Sequence, residues 1–116
     1  MKRTWIVPSL VTVLLVFLMT GLRAQSDGRA AYNKACVKCH GTEGKGDGPA
    51  AKVIKTPMGD LTSKAKMAQY SDDKLYKMIS EGGQAIGKSK IMLPQKGKLS
   101  ESEIKAVIAH IKTLQK

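Results

Sequence analysis

Aromatic side chains are scarce in this chain of 116 residues, which has one Trp, one Phe and three Tyr. Cysteine and histidine are equally rare, with two residues of each. Four zinc ligands at the usual spacing cannot be found among so few donors. The absence of aromatics interleaved with the basic residues argues against a nucleic-acid-binding module. Without repeats, low-complexity tracts or clearly alternating strand patterns, the chain reads as a small helical protein.

The first 24 residues have the pattern of a secretory signal peptide. Lys2 and Arg3 precede an apolar run over residues 5–22, and Ala24 offers a small-residue cleavage site. The run approaches the roughly 20 residues that span a bilayer, so an uncleaved membrane anchor is the alternative. In both cases residues 25–116 are expected in the periplasm, free or tethered to the inner membrane.

Cleavage after Ala24 leaves 92 residues, enough for one small domain. The signal removes three of the 20 basic side chains, which leaves 17 against 9 acidic ones, a net charge of +8. The lysines are scattered rather than clustered. A positive charge distributed in this way can steer the protein toward an acidic partner surface. The alternative is that the basic side chains serve only solubility, and the composition is the same in both cases.

The most informative residues are Cys36, Cys39 and His40, which form a C-x-x-C-H motif. This is the attachment signal for c-type haem. On a helical turn, positions i, i+3 and i+4 share one face. Both sulfurs can therefore reach the two vinyl groups at one porphyrin edge while the imidazole ligates the iron. The bulk of a porphyrin and two thioether links would also stabilise a domain with so few large side chains.

Two other uses of the cysteines are weaker. A redox-active dithiol would have no role for the adjacent His40 and would need a strand–helix context that this sequence lacks. A structural disulfide between cysteines three positions apart is uncommon. The motif therefore favours covalent haem.

The predicted fold is all-α, with three main helices and shorter helical turns. Helices are expected over residues 27–39, from Ser71 to Gly82, and from Ser100 onward. Glu103 follows Ser100 by three positions, which is the spacing of a capping box. Apolar residues then repeat at helical spacing to the end of the chain.

The connections are rich in glycine. A loop over residues 41–49 follows the C-x-x-C-H motif, and its glycines allow the backbone to approach a flat ring closely. Residues 50–70 are expected to hold a short helical piece and turns. Residues 84–99 read as a loop.

Taken in order along the chain, these features resemble a bacterial class I cytochrome c. The resemblance extends from Gly28 to Leu114. The residues that carry it are Gly28, Tyr32, Cys36, Cys39, His40, Gly41, the loop 46–50, Asp60-Leu61-Thr62, and the Glu103-Ile104-x-x-Val107 helix. The family implies three main helices wrapped around one covalently bound haem c, with thioethers from Cys36 and Cys39.

The resemblance also implies a methionine as the second axial ligand. Met92 is the matching residue, with Leu93 between it and Pro94 where the family usually places proline directly after the methionine. His40 and Met92 would then hold the iron, and a thioether ligand raises the reduction potential. The Pro49 carbonyl is the expected acceptor for the other ring N–H of His40.

The remaining methionines and the second histidine have other expected roles. Met78 is expected in the core. Met58 and Met67 are much weaker candidates than Met92 for the iron ligand, because a methionine usually serves in packing. His110 stands where the family often has an aromatic residue and is expected to pack against Gly28 and Tyr32.

The resemblance implies one-electron transfer between respiratory redox proteins. The protein is expected to be a monomer, and its partners are expected to have acidic docking faces. No nucleophile and base converge in the sequence, which argues against a catalytic enzyme. Two alternatives stay open: an electron-entry subunit of one oxidoreductase complex, and a haem-based sensor with an absent or labile methionine ligand.

Overall fold

The computed structural model describes residues 16–17 and 27–116. Apart from Val16 and Phe17, the predicted signal peptide lies outside the described residues, as does its cleavage site. Within the described part of the chain, no helix has the length and hydrophobicity that crossing a bilayer requires.

The first helical segment divides at the C-x-x-C-H motif. Helix α1 comprises residues 27–35 and helix α2 comprises Val37–His40, with Cys36 between them at φ −117°. The Cys36 N–H still donates to the Tyr32 carbonyl at 2.8 Å, so helical hydrogen bonding continues across the break. The expectation of one uninterrupted helix over 27–39 is thus corrected to two segments. The predicted stop at Gly41 is confirmed, with φ +76°.

The two long helices begin where their capping residues predict. Helix α4 comprises Asp72–Glu81, and the Ser71 hydroxyl accepts a hydrogen bond from an N–H of its first turn. Helix α5 comprises Glu101–Leu114. The Glu103 N–H donates to Ser100 Oγ at 3.2 Å, and the Ser100 N–H donates to Glu103 Oε2 at 2.7 Å. The predicted capping box is therefore formed.

The connection between α2 and α4 contains two short helical pieces where one was expected. A 3₁₀ turn comprises Pro49–Lys52, and helix α3 comprises Lys64–Met67. Ser63 caps α3 through its hydroxyl, and Met67 at its end is buried. Met67 thus belongs to the core.

The core is built from one face each of α1, α4 and α5. Its largest fully buried side chains are Tyr32, Ile104 and Val107. On α4, Leu75 and Ile79 are buried, and Met78, which is expected in the core, is half-buried against the same cluster. Full burial of one such aliphatic side chain contributes about 1.5–3 kcal/mol relative to exposure.

The segment after α4 is held against the end of that helix by backbone hydrogen bonds. It opens with a 3₁₀ turn over Gly83–Ile86 and continues as a loop over residues 87–99. Gln95 N–H donates to the Ile79 carbonyl at 2.9 Å, and the next residue bonds the next carbonyl of the helix at 3.1 Å. These contacts satisfy carbonyls in the last turn of α4 that have no partner within the helix. The loop 87–99 is therefore fixed on α4.

Candidate haem-binding site

The C-x-x-C-H motif forms one compact helical turn. The His40 N–H donates to the Cys36 carbonyl at 2.9 Å, and the Cys39 N–H donates to the same carbonyl at 3.2 Å. Neither cysteine forms a disulfide, and both are half-buried. The structure thus brings together the two sulfurs and the imidazole that the motif singles out.

The thiol chemistry of this turn differs from that of a redox dithiol. Burial, and secondarily the neighbouring Cys39, raises the pKa of the Cys36 thiol to about 11. Reactive dithiols need a pKa that is lowered, so that one sulfur is a thiolate at neutral pH. A dithiol oxidoreductase is therefore disfavoured by the environment of Cys36 as well as by the motif.

The imidazole of His40 is half-buried, and its Nδ1 atom is fully buried without a hydrogen bond to any described residue. Burial lowers the pKa of His40, and the nearby Gly59 backbone acts in the opposite direction. A neutral imidazole is the form that ligates metals. A buried ring nitrogen without a partner normally needs an explanation. A metal-bound histidine donates its other ring N–H to an acceptor such as a backbone carbonyl, which is the kind of partner that this atom lacks.

The glycine-rich loop folds back onto the motif. The Gly46 N–H donates to the His40 carbonyl at 2.9 Å, and the Gly48 N–H donates to the Cys39 carbonyl at 3.1 Å. A Cβ on Gly48 would overlap the carbonyl oxygens of two residues of α2. The close approach that glycine permits here is therefore to α2 itself. Pro49 begins the 3₁₀ turn directly after this contact, and its carbonyl as a partner of His40 stays a prediction.

Met92 lies on the loop 87–99, half-buried and packed against the hydrophobic core. Its carbonyl accepts a hydrogen bond from the Gly83 N–H at 2.9 Å, which ties the middle of the loop to the 3₁₀ turn. Its neighbours Ile91 and Leu93 are 36% and 59% exposed. The residue thus occupies a fixed position, while its role as an iron ligand stays a prediction.

The cytochrome c family profile matches residues 25–115. The chain belongs to the cytochrome c family. Among solved structures it is similar to the c-type cytochrome KustC0563, with a TM-score of 0.61 and 25% identity over 77% of this chain and 98% of that one. A search of curated proteins returned no match.

A second structural neighbour of this cytochrome is a chain of the Kuenenia stuttgartiensis reducing HAO-like protein complex Kustc0457/Kustc0458. The TM-score is 0.62 and the identity 25% over 77% of this chain. The match covers 41% of that longer chain. The all-α cytochrome c fold predicted from the sequence is thereby confirmed.

The cofactor of this cytochrome is covalently bound haem c, and the described residues fit it. Two cysteines that form no disulfide and an imidazole whose burial favours the neutral form lie on one helical turn. Among the described residues, no group of three or more His, Cys, Asp or Glu side chains is placed to hold a bare metal ion. When bound, the haem supplies one-electron redox chemistry, and the protein supplies attachment, orientation and electrostatic environment.

The contact between α1 and α5 is the one expected for this family. The rings of Tyr32 and His110 lie 5.1 Å apart at an interplanar angle of 56°, so His110 occupies an aromatic position. A Cβ on Gly28 would stand 3.2 Å from His110 Cβ and would overlap the Ala106 carbonyl. One contact of this cytochrome was missed: the Tyr32 hydroxyl donates to the Gly41 carbonyl at 2.8 Å. A buried tyrosine signals that some acceptor is needed, but not which one.

Proposed function

We propose that this cytochrome is an exported one-electron carrier in which His40 and Met92 are the axial ligands and Cys36 and Cys39 form the thioether links. The placement of the His40 imidazole and the two cysteines on one helical turn carries the proposal. A histidine and a thioether suit iron in both oxidation states, so little rearrangement accompanies electron transfer.

The choice of Met92 over the other methionines rests on its place in the fold. Met67 is buried in the core, and Met78 is half-buried on α4 against the same cluster. Met58 is half-buried in the segment before α3, where its backbone lies beside Gly46. Met92 is the methionine on a loop directly before the last helix, as the family pattern requires. Pro49 remains the proposed carbonyl partner of His40.

The periplasm is the proposed location. The support is the signal-peptide pattern of residues 1–24 and the covalent haem, which bacteria attach outside the cytoplasm. Cleavage gives a free carrier, and an uncleaved segment gives a tethered one. Size exclusion and amino-terminal sequencing of the exported protein distinguish the two.

The loop 87–99 is the proposed docking surface for redox partners. Ile91 and Leu93 are exposed at its centre. Between Gly82 and Ser100 the chain has four lysines, all exposed, and no acidic residue. The four lysines are Lys88, Lys90, Lys96 and Lys98. An exposed apolar centre with a rim of one charge fits a partner whose own rim is acidic.

A second candidate function is that of an electron-entry subunit of one complex. The observation that favours it is the structural neighbour that belongs to a multi-protein complex, where the matched region is part of a longer chain. Purification of the exported protein from its native membrane and soluble fractions tests this function. A carrier purifies alone, whereas a subunit copurifies with a fixed stoichiometric partner.

Optical spectroscopy of protein matured with haem c tests the ligand assignment. We expect a low-spin spectrum in both oxidation states that carbon monoxide does not change, because both axial positions are filled. A high-spin spectrum, or one that carbon monoxide shifts, would reject the His40/Met92 carrier and favour a sensor with an open site.

Met92→Ala is the first variant to measure. The haem should stay attached through the thioethers, the reduction potential should fall, and carbon monoxide should bind, because a neutral thioether ligand is lost. Met58→Ala is the matched control, since it removes a half-buried methionine from another loop. If Met58→Ala opens the iron and Met92→Ala does not, the ligand assignment is wrong.

A further inference from the structure

Tyr32 connects helix α1, helix α5 and the turn after His40 within the core. Its side chain is completely buried on α1, and its ring packs at a tilt against His110 on α5. Its hydroxyl donates to the carbonyl of Gly41 at 2.8 Å, nine residues further along the chain. That carbonyl belongs to the residue directly after His40.

The peptide groups around His40 are otherwise held by backbone hydrogen bonds. The Gly41 N–H donates to the Val37 carbonyl at 2.9 Å, and the Gly44 N–H donates to the Gly41 carbonyl at 3.2 Å. On the other side, the His40 carbonyl accepts from the Gly46 N–H at 2.9 Å. Within the described residues, the Tyr32 hydroxyl is the side chain that bonds this turn.

The hydroxyl is a permanent donor and is not needed for packing. Burial, with smaller contributions from the charges of Asp47 and Glu43, raises the pKa of Tyr32 far above its usual value. The side chain therefore stays protonated throughout the physiological range. A phenylalanine would fill the same space and keep the ring contact with His110. The tyrosine hydroxyl is thus available for something other than filling the core.

The turn it bonds contains a glycine, whose backbone has more conformational freedom than that of any other residue, so a side-chain bond to it restricts more. Gly41 has φ +76° and ψ 161°, a conformation that side-chain-bearing residues rarely adopt, and it reverses the chain immediately after His40. The Gly41 carbonyl is linked to His40 through the φ and ψ angles of Gly41, so a bond that fixes this carbonyl restricts the backbone that carries the imidazole. Groups that fix the orientation of a metal-bound histidine tune the metal even without touching it.

We propose that Tyr32 is a positioning residue for His40: by holding the Gly41 carbonyl, its hydroxyl fixes the orientation of the imidazole toward the haem iron. The inference rests on the proposed function, in which His40 is an axial ligand. Tyr32 acts through Gly41 and is not itself a ligand of the iron.

The test is Tyr32→Phe in the haem-loaded protein, with Tyr76→Phe as the matched control. Tyr76 is a half-buried tyrosine on α4, so the control also removes one phenolic hydroxyl. We expect Tyr32→Phe to shift the paramagnetically shifted proton resonances of His40 and to move the reduction potential. The control should leave both at their wild-type values. Wild-type resonances and potential in Tyr32→Phe would overturn the inference.

A second measurement covers the case in which Tyr32→Phe does not mature. In a Tyr70→Phe/Tyr76→Phe background, biosynthetic 3-fluorotyrosine labels Tyr32 alone and makes its hydroxyl a stronger donor. The His40 resonances and the potential should then move relative to the unlabelled background. Unchanged values would again overturn the inference. If the background protein itself has no histidine-ligated iron, the proposed function fails rather than the role of Tyr32.

Discussion

At the scale of single residues, the chain's two histidines have different environments and different consequences. His110 is 9% exposed and lies between α1 and α5 against the Tyr32 ring. Burial, and secondarily the charge of Arg29, lowers the pKa of His110, while Glu43 acts to raise it. The folded protein therefore disfavours the protonated form of this ring.

This environment predicts a pH-dependent stability. Because the pKa of His110 is lower in the folded state than its reference of 6.5, the unfolded chain takes up the proton first as pH falls. Above the reference pKa of 6.5, His110 should not change the free energy of unfolding with pH. Below 6.5 the free energy of unfolding should decrease as the pH falls. Urea unfolding of the haem-loaded protein at pH values from about 7 to about 5 measures the decrease.

His110→Phe is the control for this titration. It keeps an aromatic ring against Tyr32 but cannot bind a proton, so its stability should be flatter than wild type over the same pH range. If His40 ligates the iron as proposed, His110 is the one remaining histidine of the chain. Parallel pH profiles for the two proteins would contradict the assignment.

The residues of the haem site were predictable from the sequence where the pattern that defines them is local. Cys36, Cys39 and His40 follow from a five-residue pattern, and the structure places them on one turn. The Tyr32 to Gly41 bond was not predictable, because the partner of a buried hydroxyl depends on how the loop after His40 folds back. The Gly59 backbone beside His40 depends on the same loop packing.

At the scale of elements, helix ends were predicted better than the connections between helices. Ser71 and Ser100 cap the helices that follow them because capping is decided within one turn. The 3₁₀ turn over Gly83–Ile86 was expected as loop. It is stabilised by a bond from the Gly83 N–H to the Met92 carbonyl, nine residues away. Contacts at that separation leave no periodic signal in the sequence.

The packing of α1 on α5 gives a prediction at the same scale. Gly28→Ala places a methyl group against the Ala106 carbonyl and 3.2 Å from His110 Cβ, so the two helices must separate. The loss of unfolding free energy should be about 1–3 kcal/mol, as for other overpacked contacts. Urea unfolding of the haem-loaded protein measures it.

Gly59→Ala is the control for the helix contact. A Cβ at Gly59 meets nothing within 4 Å, so its effect should be close to zero. Equal effects of the two substitutions would mean that the close approach at Gly28 does not limit the distance between α1 and α5.

At the scale of the whole molecule, the distribution of charge decides how partners meet this cytochrome. The described domain has 17 basic and 9 acidic side chains, once the three basic residues before residue 25 are set aside. Excess positive charge attracts any acidic surface, but only a local arrangement gives a productive orientation. The proposed docking surface, the loop 87–99 with its exposed lysines and with Ile91 and Leu93 at its centre, would supply such an arrangement.

Lys90→Glu/Lys96→Glu separates local docking from overall charge. The variant lowers the net charge by four and reverses the rim of the loop 87–99. Lys77→Glu/Lys105→Glu lowers it equally from exposed positions on α4 and α5. With an acidic redox partner at low ionic strength, the loop variant should lose about 10-fold or more in bimolecular electron-transfer rate, and the helix variant much less. The difference should shrink as salt is raised, because exposed charges are screened. Equal losses in the two variants would mean that net charge alone steers the encounter and that the loop is not the docking surface.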